Sequence, residues 1–434
     1  MRTKLLYEGA EELEYEIRNI VKKAEKLEAI GAKITFENIG DPIQKNAKIP
    51  AWMKGIVTDL VQEDRSYGYT HSKGDFKTRQ FLAERTNKKG GAQIDAQDIL
   101  FFNGLGDAIA KVYQYLYPSS RVIGPSPAYS THSSAEAAHA NKVPITYRLD
   151  PQNSWYPDVD EMYMQIKYNP NIVGILIINP DNPTGMVYPI ETLKRIVAIA
   201  KEFDLFIISD EIYQNITYNG VTAVSLAEVI GDVPGIAMKG ISKELPWPGS
   251  RCGWMEFYNR DKDTEFARLC STLEDAKMIE VCSTTLPQLA IPKIMSDANY
   301  TAYRKELNES IGRRSKIITG ILKDVPQITF NETFGAFYNT MVFNEGVLKA
   351  GQKIHIEDDK KRALVEEWTA AKDMDLDKRF VYYLLAAKGV CVVPLSSFHS
   401  GLKGFRVTLL EENEALLQST FTKIKEAILE YCAS

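Results

Sequence analysis

The sequence predicts an α/β fold, a mostly parallel sheet sandwiched by helices, with a smaller α/β domain contributed by both termini. Two observations carry that expectation. From residue 98 onward, short apolar runs alternate with helix-length amphipathic segments, the signature of crossover units that lay strands down in parallel. A charge-rich segment at 299–323, with Ile311, Ile317, Ile318 and Leu322 at helical spacing, then reads as a long connecting helix before the alternation resumes. At roughly 150 residues per domain, 434 residues make two or three domains. The expected division is a large domain at 64–325 and a smaller one built from 1–63 plus 326–434.

The elements follow in order. Residues 11–30 place Leu13, Ile17, Ile20, Ala24 and Leu27 on one stripe, so an amphipathic helix packs there on something else. Ile99–Phe102 reads as a strand and 107–116 as the helix after it. A strand at 121–124, a helix at 129–140 and a strand at 143–147 come next. Ile172–Ile178 is continuously apolar apart from one glycine, as a strand buried on both faces must be. A helix at 190–203 and a buried strand at 205–209 follow, and 236–240 and 253–257 extend the sheet. After the long helix, strands at 335–342, 390–393 and 405–409 and a final helix build the smaller domain. Between 357 and 379, fourteen of 23 residues are charged with both signs mixed, which reads as a solvated insertion at about 345–380. No internal repeat or low-complexity segment appears.

Composition excludes several classes. Hydrophobic residues at 44% and charged residues at 25% give enough apolar surface for a core and exclude a disordered chain. Lys plus Arg at 52 against Asp plus Glu at 57 leaves a net charge of −5, so neither nucleic acid nor membrane is an expected partner. Cys252, Cys270, Cys282, Cys391 and Cys432 are scattered, odd in number and lack a C-x-x-C pair. They are expected as free thiols in a reducing compartment, with no zinc site. The N-terminus turns acidic before an apolar core forms, unlike a signal peptide. The longest apolar run is far short of the ~20 residues a membrane span needs. The expected location is the cytoplasm. His71, His132, His139, His355 and His399 show no metal-ligand spacing and read as satisfied or exposed, with His132 and His139 on a helix near the candidate site. Trp155 reads as packing; Trp247 reads as packing or as pocket lining.

In a doubly wound sheet, ligands bind beyond the carboxyl ends of the strands. Four loops there carry chemistry. Asn103-Gly104-Leu105-Gly106-Asp107 joins a strand to a helix start, where glycines let backbone N–H groups approach an anion. It reads equally as a tight turn, because Ile109 stands where a dinucleotide fingerprint wants its third glycine. Asn179-Pro180-Asp181-Asn182-Pro183-Thr184-Gly185 is forced into an irregular extended loop by two Asn-Pro steps. Ser209-Asp210-Glu211-Ile212-Tyr213 puts a carboxylate at the end of an apolar run, where it needs a cation or hydrogen bonds, or serves as a helix cap. Lys239-Gly240-Ile241-Ser242-Lys243, with Arg251 behind it, offers a lysine with the surroundings of an amine nucleophile or simply a surface lysine.

Together these loops resemble the pyridoxal-phosphate aminotransferases of class I/II, fold type I, the aspartate-aminotransferase-like superfamily. The likeness runs from about Asn38 to Leu410. It rests on N-P-x-N-P-T-G at 179–185, S-D-E-x-Y at 209–213, and Ser242-Lys243 with Arg251 eight residues later, in that order and spacing. The resemblance implies a seven-stranded-type sheet, pyridoxal 5'-phosphate as cofactor and a homodimer with shared active sites. It implies that Lys243 holds the cofactor as a Schiff base and shuttles the proton. Asp210 would pair with the pyridine nitrogen, Asn182 and Tyr213 would donate to the ring oxygen, and Tyr129 would stack on the ring. Gly104, Leu105, Gly106, Ser242 and Arg251 would surround the phosphate, with Tyr69, five residues before Gly74, reaching it from the neighbouring subunit. Arg406, in Gly404-Phe405-Arg406-Val407-Thr408, would clamp the substrate α-carboxylate, with Gly40 and Asn182 beside it. One position departs: where many relatives carry Ser or Thr three residues before the lysine, Gly240 stands here. What replaces that hydroxyl, Ser242 or another group, stays open.

Physical chemistry fits these roles. A free Asp titrates at ~3.9, so Asp210 would be anionic and keep the pyridine nitrogen protonated, making the ring an electron sink. Arginine's planar fork binds two oxygens of a carboxylate or phosphate at once. The expected activity is amino-group transfer from an amino acid to a 2-oxo acid by a ping-pong mechanism. A lyase or decarboxylase on the same scaffold is the alternative. A non-catalytic regulator is a second, disfavoured by Lys243 and by the absence of a basic helix-turn-helix pattern ahead of Tyr69. A nucleotide-binding dehydrogenase or kinase fails for want of either glycine-phosphate fingerprint.

Overall fold

The computed structural model of the chain describes residues 5–12 and 17–434. Leu13 of the N-terminal stripe lies outside them, as does the side chain of Ile17. The rest of that stripe, Ile20, Ala24 and Leu27, is buried on the helix Ile17–Ala29. Among the described residues, no helix is long and apolar enough to cross a membrane.

The main sheet has eight strands. Their spatial order is Ile99–Phe102, Gly253–Tyr258, Gly235–Gly240, Phe206–Asp210, Ile172–Ile178, Arg121–Ser126, Thr146–Asp150 and Tyr156–Pro157. The pairings from Gly235–Gly240 to Thr146–Asp150 are parallel, while Gly253–Tyr258 runs antiparallel to both of its neighbours. The eighth strand, Tyr156–Pro157, pairs antiparallel at the edge and is too short to leave a periodic signal. The continuous apolar runs are explained by burial on both faces. Ile175, Ile177 and Ile207 enter one core cluster, while their neighbours Leu176, Ile178 and Ile208 enter another on the opposite face.

A second, four-stranded sheet is antiparallel throughout, in the order Ile328–Thr329, Tyr338–Phe343, Gly404–Thr408, Val393–Pro394. The N-terminal strand Thr35–Phe36 pairs in parallel with Val390–Cys391, and Thr408 N–H donates to the Glu37 carbonyl at 2.9 Å. Chain before and after the main sheet thus meets around one core. The long helix appears as Tyr300–Leu322. The charged stretch 357–379 contains the helix Asp359–Trp368, whose Val365 and Trp368 are buried, and the ammonium of Lys23 lies 4.9 Å from the Trp368 ring. The charges of that helix are mostly exposed, but Asp377 farther along the stretch is wholly buried and accepts from Ser396 N–H at 2.9 Å, so the stretch is a part of the core and not simply a solvated insertion.

A buried ionic knot anchors the strand that leads to the Lys243 loop. Lys239 Nζ donates to Glu256 at 2.7 Å and lies 3.5 Å from Glu211. Glu256 also accepts from Thr86, Tyr258 and Trp254. Burial pushes Glu256 up, but the Lys239 charge and these bonds outweigh it and leave its pKa below the ordinary value. Burial works against the charge on Lys239 too, yet the two glutamates hold its pKa above normal. Lys239→Met is therefore expected to cost ~3–5 kcal/mol, because it strands a buried carboxylate. A urea melt checks this, and adding Glu256→Gln is expected to recover most of the loss.

Candidate active site

The parallel strands converge on one cavity. Phe206–Asp210 ends at Asp210, Ile172–Ile178 feeds the loop 179–185, Gly235–Gly240 feeds Ser242 and Lys243, and Ile99–Phe102 feeds 103–106. These loops line a cavity of about 450 Å³ together with Asn38, Gly40, Tyr129, Arg251, Tyr338 and Arg406. A larger groove, about 1220 Å³, lies at the amino ends of the same strands among Tyr117, Val173, Phe206 and Phe266. It contains none of the loop motifs, whereas Asn182, Asp210, Tyr213, Lys243, Arg251 and Arg406 all line the smaller cavity.

At the floor, Asp210 is 3% exposed. Its Oδ1 accepts from Ile212 N–H at 3.1 Å, and its Oδ2 lies 3.1 Å from His132 Nε2. A carboxylate acceptor assigns the proton of that contact to Nε2. His132 is itself wholly buried, edge-on to Tyr129 at 6.4 Å and to Tyr113 at 6.5 Å. The sequence pointed to His132 only as a residue near the site; the structure makes it the direct partner of Asp210.

The loop 179–185 is knotted by its own side chains. Asn179 Oδ1 accepts from Tyr188 N–H, and Asp181 Oδ2 accepts from Thr184 N–H and Oγ1–H. Burial pushes the Asp181 carboxyl up to about 7. This knot fixes Asn182, whose Oδ1 accepts from Arg406 Nη1 at 3.2 Å, leaving its Nδ2 as the donor end.

Arg406 is buried, with Nη2 donating to the Asn38 carbonyl at 2.7 Å. Its guanidinium lies 4.4 Å from the Tyr338 ring and 5.1 Å from the Phe398 ring, and Nε has no partner among the described residues. A buried cation so placed is a ready carboxylate receptor. Lys243 Nζ donates to the Gly40 carbonyl at 2.7 Å. Tyr213 is buried, its hydroxyl 3.0 Å from that of Tyr338.

At the other end, the helix Leu105–Tyr115 begins at Gly104, which has a φ of +85°. A Cβ there would lie 2.4 Å from Arg251 Nη2, so glycine lets the guanidinium close on the helix start. Arg251 and the free N–H groups of that first turn form an anion cradle. Leu105, Gly106, Tyr129 and Ser242 line the cavity. A Cβ at Gly240 would sit 3.0 Å from Ile212 Cδ1 and 3.1 Å from the Cys252 carbonyl, so the missing hydroxyl reflects a crowded strand end. Tyr69 is 85% exposed and does not line the cavity of its own chain. Trp155 is packed in the core, and Trp247 packs against the same cluster outside the cavity lining.

The residues present suit pyridoxal 5'-phosphate on this geometry: a cradle for a dianion, a buried anion for a protonated ring nitrogen, an amine for an aldehyde, and donors for a ring oxygen. Tyr338 and Phe398 are the site residues that sequence reasoning missed. Tyr338 stands within the expected strand at 335–342 with nothing local to single it out, and only tertiary packing reveals its neighbours.

A family model for aminotransferase class I and II matches residues 38–419. The chain is 54% identical over 431 residues, 99% of each sequence, to a protein of Methanocaldococcus jannaschii named an uncharacterized aminotransferase. It is 29% identical over 357 residues, 81% of this chain and 84% of the relative, to glutamate-pyruvate aminotransferase AlaA of Escherichia coli. The solved structure of alanine aminotransferase from Pyrococcus furiosus is similar with a TM-score of 0.84 at 27% identity, over 98% of this chain and 100% of that one. With the match running through every loop of the cavity, the chain belongs to the class I and II aminotransferases and is an amino-acid aminotransferase that works with pyridoxal 5'-phosphate.

Proposed function

We propose that this enzyme moves the α-amino group of an amino acid to a 2-oxo acid in two half-reactions at one cavity, with Lys243 as covalent anchor and proton carrier. The observation that carries this reading is the placing of one amine, Lys243 Nζ, in the same cavity as Arg406 and Asp210. Pyridoxal 5'-phosphate supplies an aldehyde that condenses with amines and a ring that draws the electron pair from Cα. Arg251 and the first N–H groups of the helix Leu105–Tyr115 would hold its phosphate. Asp210, oriented by His132, would hold a proton on the ring nitrogen, while Asn182 and Tyr213 would donate to the ring oxygen. Arg406 takes the substrate carboxylate in its fork, displacing no other acid among the described residues. Lys243 Nζ removes the proton from Cα of the amino acid in one half-reaction and returns one to the corresponding carbon of the oxo acid in the other.

The names of the relatives make L-alanine with 2-oxoglutarate, and L-glutamate with pyruvate, the first pairs to test. Adding the amino acid alone to holoenzyme is expected to abolish the visible absorption of the bound cofactor, and adding the oxo acid to restore it. Absorption that returns with no oxo acid supplied would mean lyase or decarboxylase chemistry and would overturn the reading.

A homodimer belongs to the same proposal. The exposure of Tyr69 is accounted for if it serves a second copy's phosphate site, and Tyr67, Phe76 and Ile279 are exposed apolar surface for that contact. The division into a large domain at 64–325 and a smaller remainder is proposed on the separate sheets and cores. A cytoplasmic location is proposed on the five free cysteines.

A further inference from the structure

We propose that Tyr338 is a positioning residue that couples the carboxylate clamp Arg406 to Tyr213 and strengthens Tyr213 as a hydrogen-bond donor. The inference rests on the roles proposed above for Arg406 and Tyr213. Tyr338 opens the strand Tyr338–Phe343 and is 2% exposed. One side chain makes three contacts. Its ring lies 4.4 Å beneath the Arg406 guanidinium, and its hydroxyl lies 3.0 Å from the Tyr213 hydroxyl. That hydroxyl also fills the space beside Gly40, where a Cβ would stand 2.1 Å from it. Gly40 in turn offers the carbonyl that holds Lys243 Nζ.

A phenol has one hydrogen to give. When Tyr213 donates to a ligand oxygen, it can only accept in the contact with Tyr338, so Tyr338 is the donor there. Donation into the Tyr213 oxygen polarises its own O–H and makes it a stronger donor. The cation stacked on the Tyr338 ring adds to this by drawing electron density from the phenol. A substrate carboxylate on Arg406 offsets that charge, so occupancy of the clamp is felt at Tyr213. Burial, then the neighbouring Tyr338, holds the Tyr213 phenol well above its ordinary pKa, so it remains protonated as a donor. The charged and titratable groups facing the pair are Asp210 and Tyr129 on the Tyr213 side, Lys243 beside Phe337, and Arg406 over Tyr338. Asp41 and Arg251 line the same cavity.

The test is a pH titration of the visible absorption of holoenzyme, which reports the proton shared between Lys243 Nζ and the ring oxygen. A weaker Tyr213 donor leaves more negative charge on that oxygen, so the proton is held to higher pH. Tyr338→Phe is expected to raise the midpoint by about half to one pH unit, the size of one neutral hydrogen bond. Tyr338→Leu is expected to give the same shift and also to raise KM for amino acid and oxo acid by roughly fivefold, because the ring beneath Arg406 is lost. A Tyr338→Phe midpoint equal to that of the wild type, where Tyr213→Phe does move it, overturns the coupling and leaves Tyr338 a packing residue. If Tyr213→Phe moves nothing either, the proposal falls together with the reading of Tyr213.

Discussion

Lys243→Ala is expected to lose turnover by ~10⁴-fold or more and to bind cofactor without the visible absorption of the wild type. Proton transfer by a positioned group accounts for ~10²–10⁴-fold, and the loss of the covalent anchor adds to it. Among the described residues lining the cavity, Lys243 is the one lysine. Its nearest rival in sequence, Lys239, is clamped to Glu256 at 2.7 Å and to Glu211, which keep its amine protonated and therefore not nucleophilic. Borohydride reduction of holoenzyme followed by peptide mapping checks the assignment independently of turnover. The label is expected on the peptide containing position 243 and absent from the variant. A label on Lys239, or undiminished turnover in Lys243→Ala, would remove Lys243 from the mechanism.

The parts of this site that were legible in the sequence are those written into single loops. Asp210 stands out because a carboxylate ends the apolar run Phe206–Ile208, and such a group demands a partner whatever the fold. Asn182 and Lys243 stand out through the resemblance, because N-P-x-N-P-T-G at 179–185 and Ser242-Lys243 with Arg251 eight residues later are contiguous motifs of the family. The strands were equally legible: burial on both faces leaves the apolar run of Ile172–Ile178, which no exposed segment would retain. Contacts between distant segments left no such trace. His132 reaches Asp210 from a helix 78 residues earlier in the chain. Tyr338 meets Tyr213 across 125 residues. Neither residue has a spacing that announces its partner, because the sheet topology and not the local sequence brings them together. The helix Asp359–Trp368 was hidden for another reason: ten residues dense in charge carry an apolar stripe too narrow to stand out, although Val365 and Trp368 are enough to dock it.

Asp210→Asn is expected to leave cofactor binding and its visible absorption in place while lowering kcat by about 10³-fold, the loss of one preorganised charge from a site that excludes water. The substitution separates the two readings that the sequence left open for this residue. The structure has no helix directly after Asp210 for it to cap; its structural role is local, Oδ1 accepting the Ile212 N–H at 3.1 Å in the turn that follows the strand, and an asparagine oxygen can take that bond without strain. As an electrostatic partner, it acts through its negative charge, which asparagine lacks. The two oxygens divide the work: Oδ1 is held by the backbone and Oδ2 by His132, so the carboxylate is fixed in place before any ligand arrives. A buried carboxylate is costly to desolvate, and a protonated ring nitrogen is the cation that would offset that cost. The loss should therefore fall on kcat and not on KM, since Arg406 and Asn182 still take the substrate carboxylate. Asp210→Ala should behave alike, and steady-state kinetics with L-alanine or L-glutamate as donor decides the matter. Full turnover in Asp210→Asn would mean that the charge at the end of this strand serves the fold alone, and the electron sink would have to be maintained by some other group.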